Sequence, residues 1–278
     1  MINLGIINCS YLETHVVHEC TLKCYGCNHF SDLGLSRGWR VRVQDFETMV
    51  KFWSARLNPS TFILLGGEPT LHPQLEELLL ISSKYFRRGS YDDIGENCSV
   101  SFTTNGTLLH KHKNIKQIIK DNNISIVVSI HPVPNKLYNV VIENIKMVHE
   151  WMDEGITAKV WDFTKENMWI KPYKSYGKKM EPFQNIPRDC WRECDLKVFY
   201  QLLNGCLYKC PTVAYLPLIK EKHPDLSDKW QPVLNYKPLS PNCTRQELIQ
   251  FLQKEEEDVC GLCLNKRDRS SQPDNYKN

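Results

Sequence analysis

Nowhere do the 278 residues run to the roughly twenty consecutive apolar side chains that a membrane-crossing helix requires, so no α-helical span is expected. Charge of one sign is also scarce. Lys and Arg number 35 against 32 Asp and Glu, and the net charge of +3 is too small to argue for a nucleic acid or an anionic membrane as partner. Residues 1–11 hold no basic start, apolar stretch and small-residue cleavage site, so no secretory signal is read there and a cytoplasmic protein is expected. Internal repeats and long low-complexity segments are lacking too. What is left is an ordinary globular composition, 41% hydrophobic and 24% charged, long enough for one large core with at most a small appended module.

What the chain has in excess is cysteine, twelve in all. A reducing cytosol disfavours disulfides, so metal binding is the first reading. The cysteines also gather into two sets: Cys20, Cys24 and Cys27 near the start, and Cys190, Cys194, Cys206, Cys210, Cys260 and Cys263 in the last third. Cys9, Cys98 and Cys243 stand alone and read as inert, partly buried thiols.

Hydrophobic periodicity organises the first part of the chain into strands alternating with helices. Residues 14–18 read as a short strand leading into the first cysteines, and 44–57 as a helix with Phe46, Met49, Val50 and Trp53 on one face. Residues 62–65 read as a buried strand ending at Gly66-Gly67, and 73–86 as a helix. A strand over 99–103 ends at Thr104-Asn105-Gly106; a helix through 115–119, a β-branched strand over 124–130, a helix over 140–151 and a strand over 157–161 follow. Such alternation implies a parallel sheet with right-handed crossovers. Five or six units are too few for a closed eight-fold barrel of typically ~250 residues. The expected fold class is therefore α/β, a partial (β/α)6 TIM-like barrel. The cysteine triplet, Gly66-Gly67-Glu68, Asn105 and His131 all fall just after strands, at the carboxyl ends where parallel α/β sheets carry function. Residues 171–188, rich in Lys, Tyr, Gly and Pro, read as a linker or loop, with Tyr173, Lys174, Tyr176, Lys178 and Lys179 forming a solvated basic stretch ahead of the alternative that they meet a phosphate or other anion. In 198–210 two apolar runs flank Asn204-Gly205, the signature of a type I′ hairpin. The polar tail over 267–278 is expected to be disordered.

Cys20-x3-Cys24-x2-Cys27 puts three soft, anionic ligands on one loop, enough to hold three irons of a cube and leave the fourth open. Zinc is the alternative; a structural zinc takes four ligands, and His18 or His29 could supply the fourth. The triplet is followed by Leu64-Leu65-Gly66-Gly67-Glu68-Pro69 and then by Thr104-Asn105-Gly106. Together these motifs resemble those of the radical S-adenosylmethionine (SAM) enzymes, over residues 12–165. The resemblance implies that Cys20, Cys24 and Cys27 ligate a 4Fe–4S cluster whose open iron is chelated by SAM. It places Gly66, Gly67 and Glu68 at the SAM amino group, and Asn105 and Ser129 at the methionine carboxylate or the ribose. It further implies an electron donor such as flavodoxin or ferredoxin, and cleavage of SAM to a 5′-deoxyadenosyl radical that takes a hydrogen from the substrate. Read from the residues alone, Glu68 is also a helix cap, Asn105-Gly106 a turn pair and Ser129 a small polar residue in a sheet. No catalytic acid, base or hydrogen donor is assigned.

The resemblance extends to the second set of cysteines. Cys194 and Cys210 flank Gly205, and Cys260-x2-Cys263 is a metal-type pair, an arrangement similar to the twitch (SPASM-like) extension of some radical SAM enzymes. It implies an auxiliary 4Fe–4S cluster on Cys194, Cys210, Cys260 and Cys263, with Cys190 competing for the place of Cys194 and a four-cysteine zinc site as the alternative. The expected division is a core over 1–170, a linker over 171–188 and a small cysteine-rich β-hairpin/helix module over 189–266. Peptide-modifying relatives often carry a peptide-binding domain before the barrel, and a first strand near Thr14 leaves no room for one. A small-molecule substrate (a sugar, nucleotide or amino-acid derivative) is therefore expected ahead of a peptide. The rival from another class is a non-enzymatic zinc- or iron-binding partner protein, which needs neither an open iron nor a Gly-Gly-Glu turn.

Overall fold

The computed structural model describes residues 6–24, 26–35, 38–86, 98–164 and 173–265, so the tail over 267–278 lies outside the described residues. β1 (Ile7–Val17) opens the fold, and α1 (Val43–Ser54) carries the chain back to β2 (Leu57–Gly66). α2 (Leu75–Phe86), β3 (Ser99–Thr104), α3 (Ile115–Asp121), β4 (Ser125–Ile130), α4 (Asn135–Asp153) and β5 (Ala158–Asp162) continue the alternation. Then come α5 (Pro187–Glu193), the hairpin β6 (Phe199–Leu203) and β7 (Cys206–Tyr208), α6 (Pro211–Lys222), α7 (Gln231–Leu234) and α8 (Arg245–Gln253).

These seven strands form a single α/β sheet in the order β5-β4-β3-β2-β1-β6-β7. Every neighbouring pair runs parallel except β6 with β7. β6 pairs with β1 from Tyr11–Phe199 to Thr14–Leu202, so the C-terminal hairpin continues the same sheet. Asn204 and Gly205 hold φ of 50° and 79°, both left-handed, as a type I′ turn demands. The helices lay apolar stripes on the outer face of the sheet: Phe46, Val50 and Trp53 of α1 are buried at i, i+4 and i+7. They join Leu78, Phe102 and Ile126 in the main core. A second core, with Phe30, Tyr173, Met180, Tyr215 and Trp230 at its centre, ties the first cysteine loop to the C-terminal helices.

Two expectations are corrected. The first strand begins at Ile7, not Thr14, because residues 7–11 pair in register with 57–61 of β2 although Asn8, Ser10 and Glu13 break the apolar run. The first helix stops at Ser54, and Leu57 opens β2 instead. Pro59 obscures that start, yet it lies ahead of the first β3 pairing at Thr61, where a missing N–H leaves no ladder bond unmade on that side. The stretch expected as a linker or loop packs against the rest of the chain: Lys174 bridges Glu181, and Tyr173 and Met180 are fully buried in the second core.

Candidate active site

β1 delivers the chain into the cysteine loop at the carboxyl end of the sheet. Tight turns shape that loop: Cys27 N–H donates to the Cys24 carbonyl at 3.2 Å and Phe30 N–H to the Cys27 carbonyl at 3.0 Å, with Gly26 at φ 75°. Burial pushes all three thiols up, Cys27 to about 12, and Cys27 and Cys20 add repulsion at Cys24. No three or more His, Cys, Asp or Glu side chains among the described residues stand close enough to hold one metal ion. A cube whose irons each take one thiolate does not need its ligands to meet at a point. The three thiols face one cavity, an arrangement compatible with a cluster whose ligands are spread around it.

Backbone contact fixes the loop against the Gly-Gly-Glu turn. Gly67 N–H donates to the Val17 carbonyl and Glu68 N–H to the Glu19 carbonyl, each at 2.9 Å. A methyl at Gly66 would stand 2.2 Å from Val17 O, and one at Gly67 2.1 Å from Glu19 O, so the two segments touch as only glycine permits. The Glu68 side chain is fully buried and saturated. Its Oε1 accepts from Thr70 N–H, Thr70 Oγ and Thr104 Oγ at 3.1, 2.5 and 2.6 Å, and its Oε2 from Asn105 N–H at 2.7 Å. Glu68 thereby locks the end of β2 to the end of β3, and it also caps the short turn Pro69–Leu71. The Asn105 amide donates to Thr21 Oγ at 3.0 Å and lies 3.6 Å from Cys20 Sγ, beside the first cysteine. Ser129 and His131, at the end of β4, line the same cavity, and burial lowers His131 to about 4.

A buried polar network beneath the loop gave little sign of itself in the sequence. His15 joins His18 Nδ1 at 3.0 Å and His29 Nδ1 at 2.9 Å, and the Tyr215 ring stacks on His15 with centroids 3.8 Å apart. Tyr215 donates to Gln201 Oε1 at 3.1 Å, and Gln201 donates from Nε2 to Glu13 Oε2 at 2.6 Å. The available signal was period two: Glu13 and His15 share one face of β1, while Leu12, Thr14 and Val16 share the other.

The sequence pattern of the radical SAM superfamily matches residues 15–163, more than half of the chain. The chain belongs to the radical SAM superfamily. Membership makes it an enzyme and implies a 4Fe–4S cluster and SAM. No curated protein matches it. Among solved structures it is similar to BtrN in complex with AdoMet and 2-DOIA, with TM-score 0.50, 14% identity, and 94% of this chain and 97% of that one covered. It is also similar to Streptococcus suis SuiB bound to S-adenosylmethionine, with TM-score 0.38, 19% identity, and 54% and 31% covered. Native anSMEcpe with bound AdoMet gives TM-score 0.41, 18% identity, and 61% and 54% covered. The chain thus spans 31% of SuiB and 54% of anSMEcpe, and the BtrN likeness shows the fold alone.

In this radical SAM enzyme the second set of cysteines shares the cavity of the first. Cys190, Cys194, Cys210, Cys260 and Cys263 line it together with Cys20, Cys24 and Cys27; Cys206 does not. Cys194 ends α5, Cys210 precedes α6, and Cys260 and Cys263 lie on and just after the short turn Asp258–Leu262. Burial raises the Cys263 thiol well up, and Cys210, Cys194, Cys260 and Cys190 add to it in that order. Lys209, beside Cys210, donates to the carbonyls of Phe251 and Lys254 and so clamps the end of α8. The basic stretch of 173–179 is turned to other uses: Tyr176 donates to Asp32 at 2.7 Å, and Lys178 lies 3.8 Å from Asp225.

Proposed function

We propose that the enzyme holds its 4Fe–4S cluster on Cys20, Cys24 and Cys27, binds SAM beside it, and acts on a small molecule: a sugar, nucleotide or amino-acid derivative. One observation carries this reading. A single cavity of about 600 Å³ has the cysteine triplet, the glycine turn, Asn105 and the C-terminal cysteines on its wall. That volume suits a small ligand. When bound, the cluster and SAM supply a carbon radical able to take hydrogen from an unactivated position.

The protein binds, orients and shields. The N–H groups of Gly67 and Glu68 are committed to bracing the cysteine loop, so the turn meets the SAM ammonium with acceptors. Asn105 and Ser129 stand at the strand ends for the carboxylate and ribose. Trp161, Phe163 and Trp191 on the wall keep water from the reacting centre. An outside one-electron donor such as flavodoxin or ferredoxin completes the system. Among the described residues no helix is long and apolar enough to cross a membrane.

The same reading places an auxiliary 4Fe–4S cluster on Cys194, Cys210, Cys260 and Cys263, in a twitch-like module over 189–266 that follows a core over 1–170 and a linker over 171–188. Its support is the convergence of these thiols on one stretch of cavity wall. Four protein ligands leave no open iron, so this cluster staples the C-terminal segment or relays an electron. The test is iron and sulfide content after anaerobic reconstitution, with 5′-deoxyadenosine measured from SAM under dithionite. About eight irons per chain and 5′-deoxyadenosine formation are expected. Cys24→Ala should bring 5′-deoxyadenosine to background, and full cleavage by that variant would refute the reading.

A further inference from the structure

The inner face of the barrel carries a polar belt that neither cysteine set uses. Register aligns Gln201 of β6, Glu13 of β1, Ile63 of β2, Ser101 of β3 and Ser125 of β4 at one level. Two members of this belt have groups left to bind something. Ser101 is 4% exposed, lines the cavity, and its hydroxyl has no hydrogen-bond partner among the described residues. Glu13 is 7% exposed and also lines the cavity. Its Oε2 accepts from Gln201, and among the described residues Oε1 makes no hydrogen bond. His29 Nε2 stands 3.8 Å from Oε2, beyond hydrogen-bond reach, while its other nitrogen is engaged by His15. No lysine or arginine among the described residues pairs with Glu13.

Buried polar groups are normally satisfied, and an open buried hydroxyl and an open carboxyl oxygen on one cavity wall call for a ligand. Their spacing says what kind. Glu13 and Ser101 lie two strands apart, about 9.5 Å along the sheet, with apolar Ile63 between them. A molecule that satisfies both carries polar groups on opposite edges and an apolar C–H face between. Charge selects further: the C-terminal part of the wall holds Glu193, Asp195, Glu255 and Glu257 against Lys197 and Lys209, and Lys209 is already engaged by two carbonyls.

Resting on the radical SAM reading above, we infer that the substrate is an amino-bearing six-membered polyol ring, an amino sugar or aminocyclitol. Its ammonium is held by Glu13, a hydroxyl by Ser101, and its C–H face lies on Ile63. Gln201 and Tyr215 hold the Glu13 carboxyl in place.

The test uses anaerobically reconstituted, SAM-saturated enzyme with D-glucosamine and D-glucose as probes, followed by saturation-transfer NMR and calorimetry. Glucosamine should bind about tenfold more tightly than glucose. Glu13→Gln should erase that preference, Glu13→Asp should retain it, and Ser101→Ala should weaken both sugars alike. Iron content and melting temperature confirm that each variant is folded, and Ser101→Ala with Glu13→Asp keeps the comparison usable where Glu13→Gln is unstable. An equal affinity for the two sugars, a preference that survives Glu13→Gln, or no binding of either up to about 50 mM overturns the proposal. Failure of the radical SAM reading registers separately, as absence of 5′-deoxyadenosine from the wild-type enzyme without sugar.

Discussion

A methyl group added at Gly67 would meet the Glu19 carbonyl carbon at 2.3 Å as well as its oxygen, and both neighbours are backbone with nowhere to yield. Gly67→Ala should therefore separate the glycine turn from the cysteine loop and cost several kcal/mol, in the range of severe overpacking. A fall in melting temperature together with poor iron retention is expected; wild-type values for both would show that the contact gives way. Glu13 makes a different kind of prediction. Burial lifts its carboxyl from the ordinary 4.5 to about 7, with the Gln201 bond acting the other way. The folded chain then holds a proton that the unfolded chain releases between these values, so this group's contribution is full below about pH 4.5 and lost as pH rises through 7. Glu13→Gln should match the wild type near pH 5 and exceed it by about 1–3 kcal/mol near pH 8, seen as a crossing of melting temperatures. Parallel curves would show that Glu13 titrates normally. Nothing in the primary structure marks Glu13 as special, since an acidic residue in an alternating strand reads as solvent-facing until the sheet closes around it. The cysteine triplet and Gly66-Gly67-Glu68 stood out because together they form a local pattern resembling that of the radical SAM enzymes, which needs no tertiary information.

Elements hold the two ends of the chain together through a few long-range bonds. Trp53, fully buried at the end of α1, donates from Nε1 to the Gly205 carbonyl at 2.9 Å, joining the first helix to the β6–β7 turn. Arg56 does the same for a later segment, donating to the carbonyls of Pro241 and Cys243 at 2.9 and 2.6 Å. Trp53→Phe removes the bond and part of the ring volume. A loss of about 2–4 kcal/mol is expected, from an orphaned carbonyl plus a small cavity. Faster amide exchange in 199–208 but not in β3 or β4 would locate the loss at the hairpin, and uniform exchange would refute that. The hairpin itself was legible because Asn-Gly fixes its turn. Its partner was not: no local pattern says that β6 inserts beside β1, a pairing across most of the chain. For the same reason Tyr173 and Met180 looked like parts of a polar linker, because their burial depends on α6 and Trp230 far along the sequence.

At the scale of the molecule, eight cysteines from opposite ends of the chain face one cavity, and five of them lie at the C-terminal end where a cube needs four. Cysteine spacing points to a second metal site; it could not choose between Cys190 and Cys194, since both precede Gly205 at suitable distances. The surroundings differ. Cys190 Sγ donates to the Cys263 carbonyl at 3.3 Å and so keeps a partner for its proton. Cys194 closes α5 with backbone in the extended region, next to the loop that leads into β6. The turn that carries Cys260 and Cys263 is also held by backbone hydrogen bonds: Asn185 N–H donates to Gly261 O at 2.8 Å and Phe183 N–H to Leu262 O at 3.0 Å. Loss of one ligand of the proposed second cluster should thus leave the main sheet folded. Cys194→Ala and Cys260→Ala should each retain about four of eight irons and still form 5′-deoxyadenosine, whereas Cys190→Ala should retain about eight. A melting point lowered by several degrees in the first two, about 2–4 °C per kcal/mol lost, would measure how far the proposed auxiliary cluster staples the C-terminal segment to the sheet. If Cys190→Ala loses four irons and Cys194→Ala none, the ligand is Cys190, and α5 presents its inner turn to the cluster rather than its end.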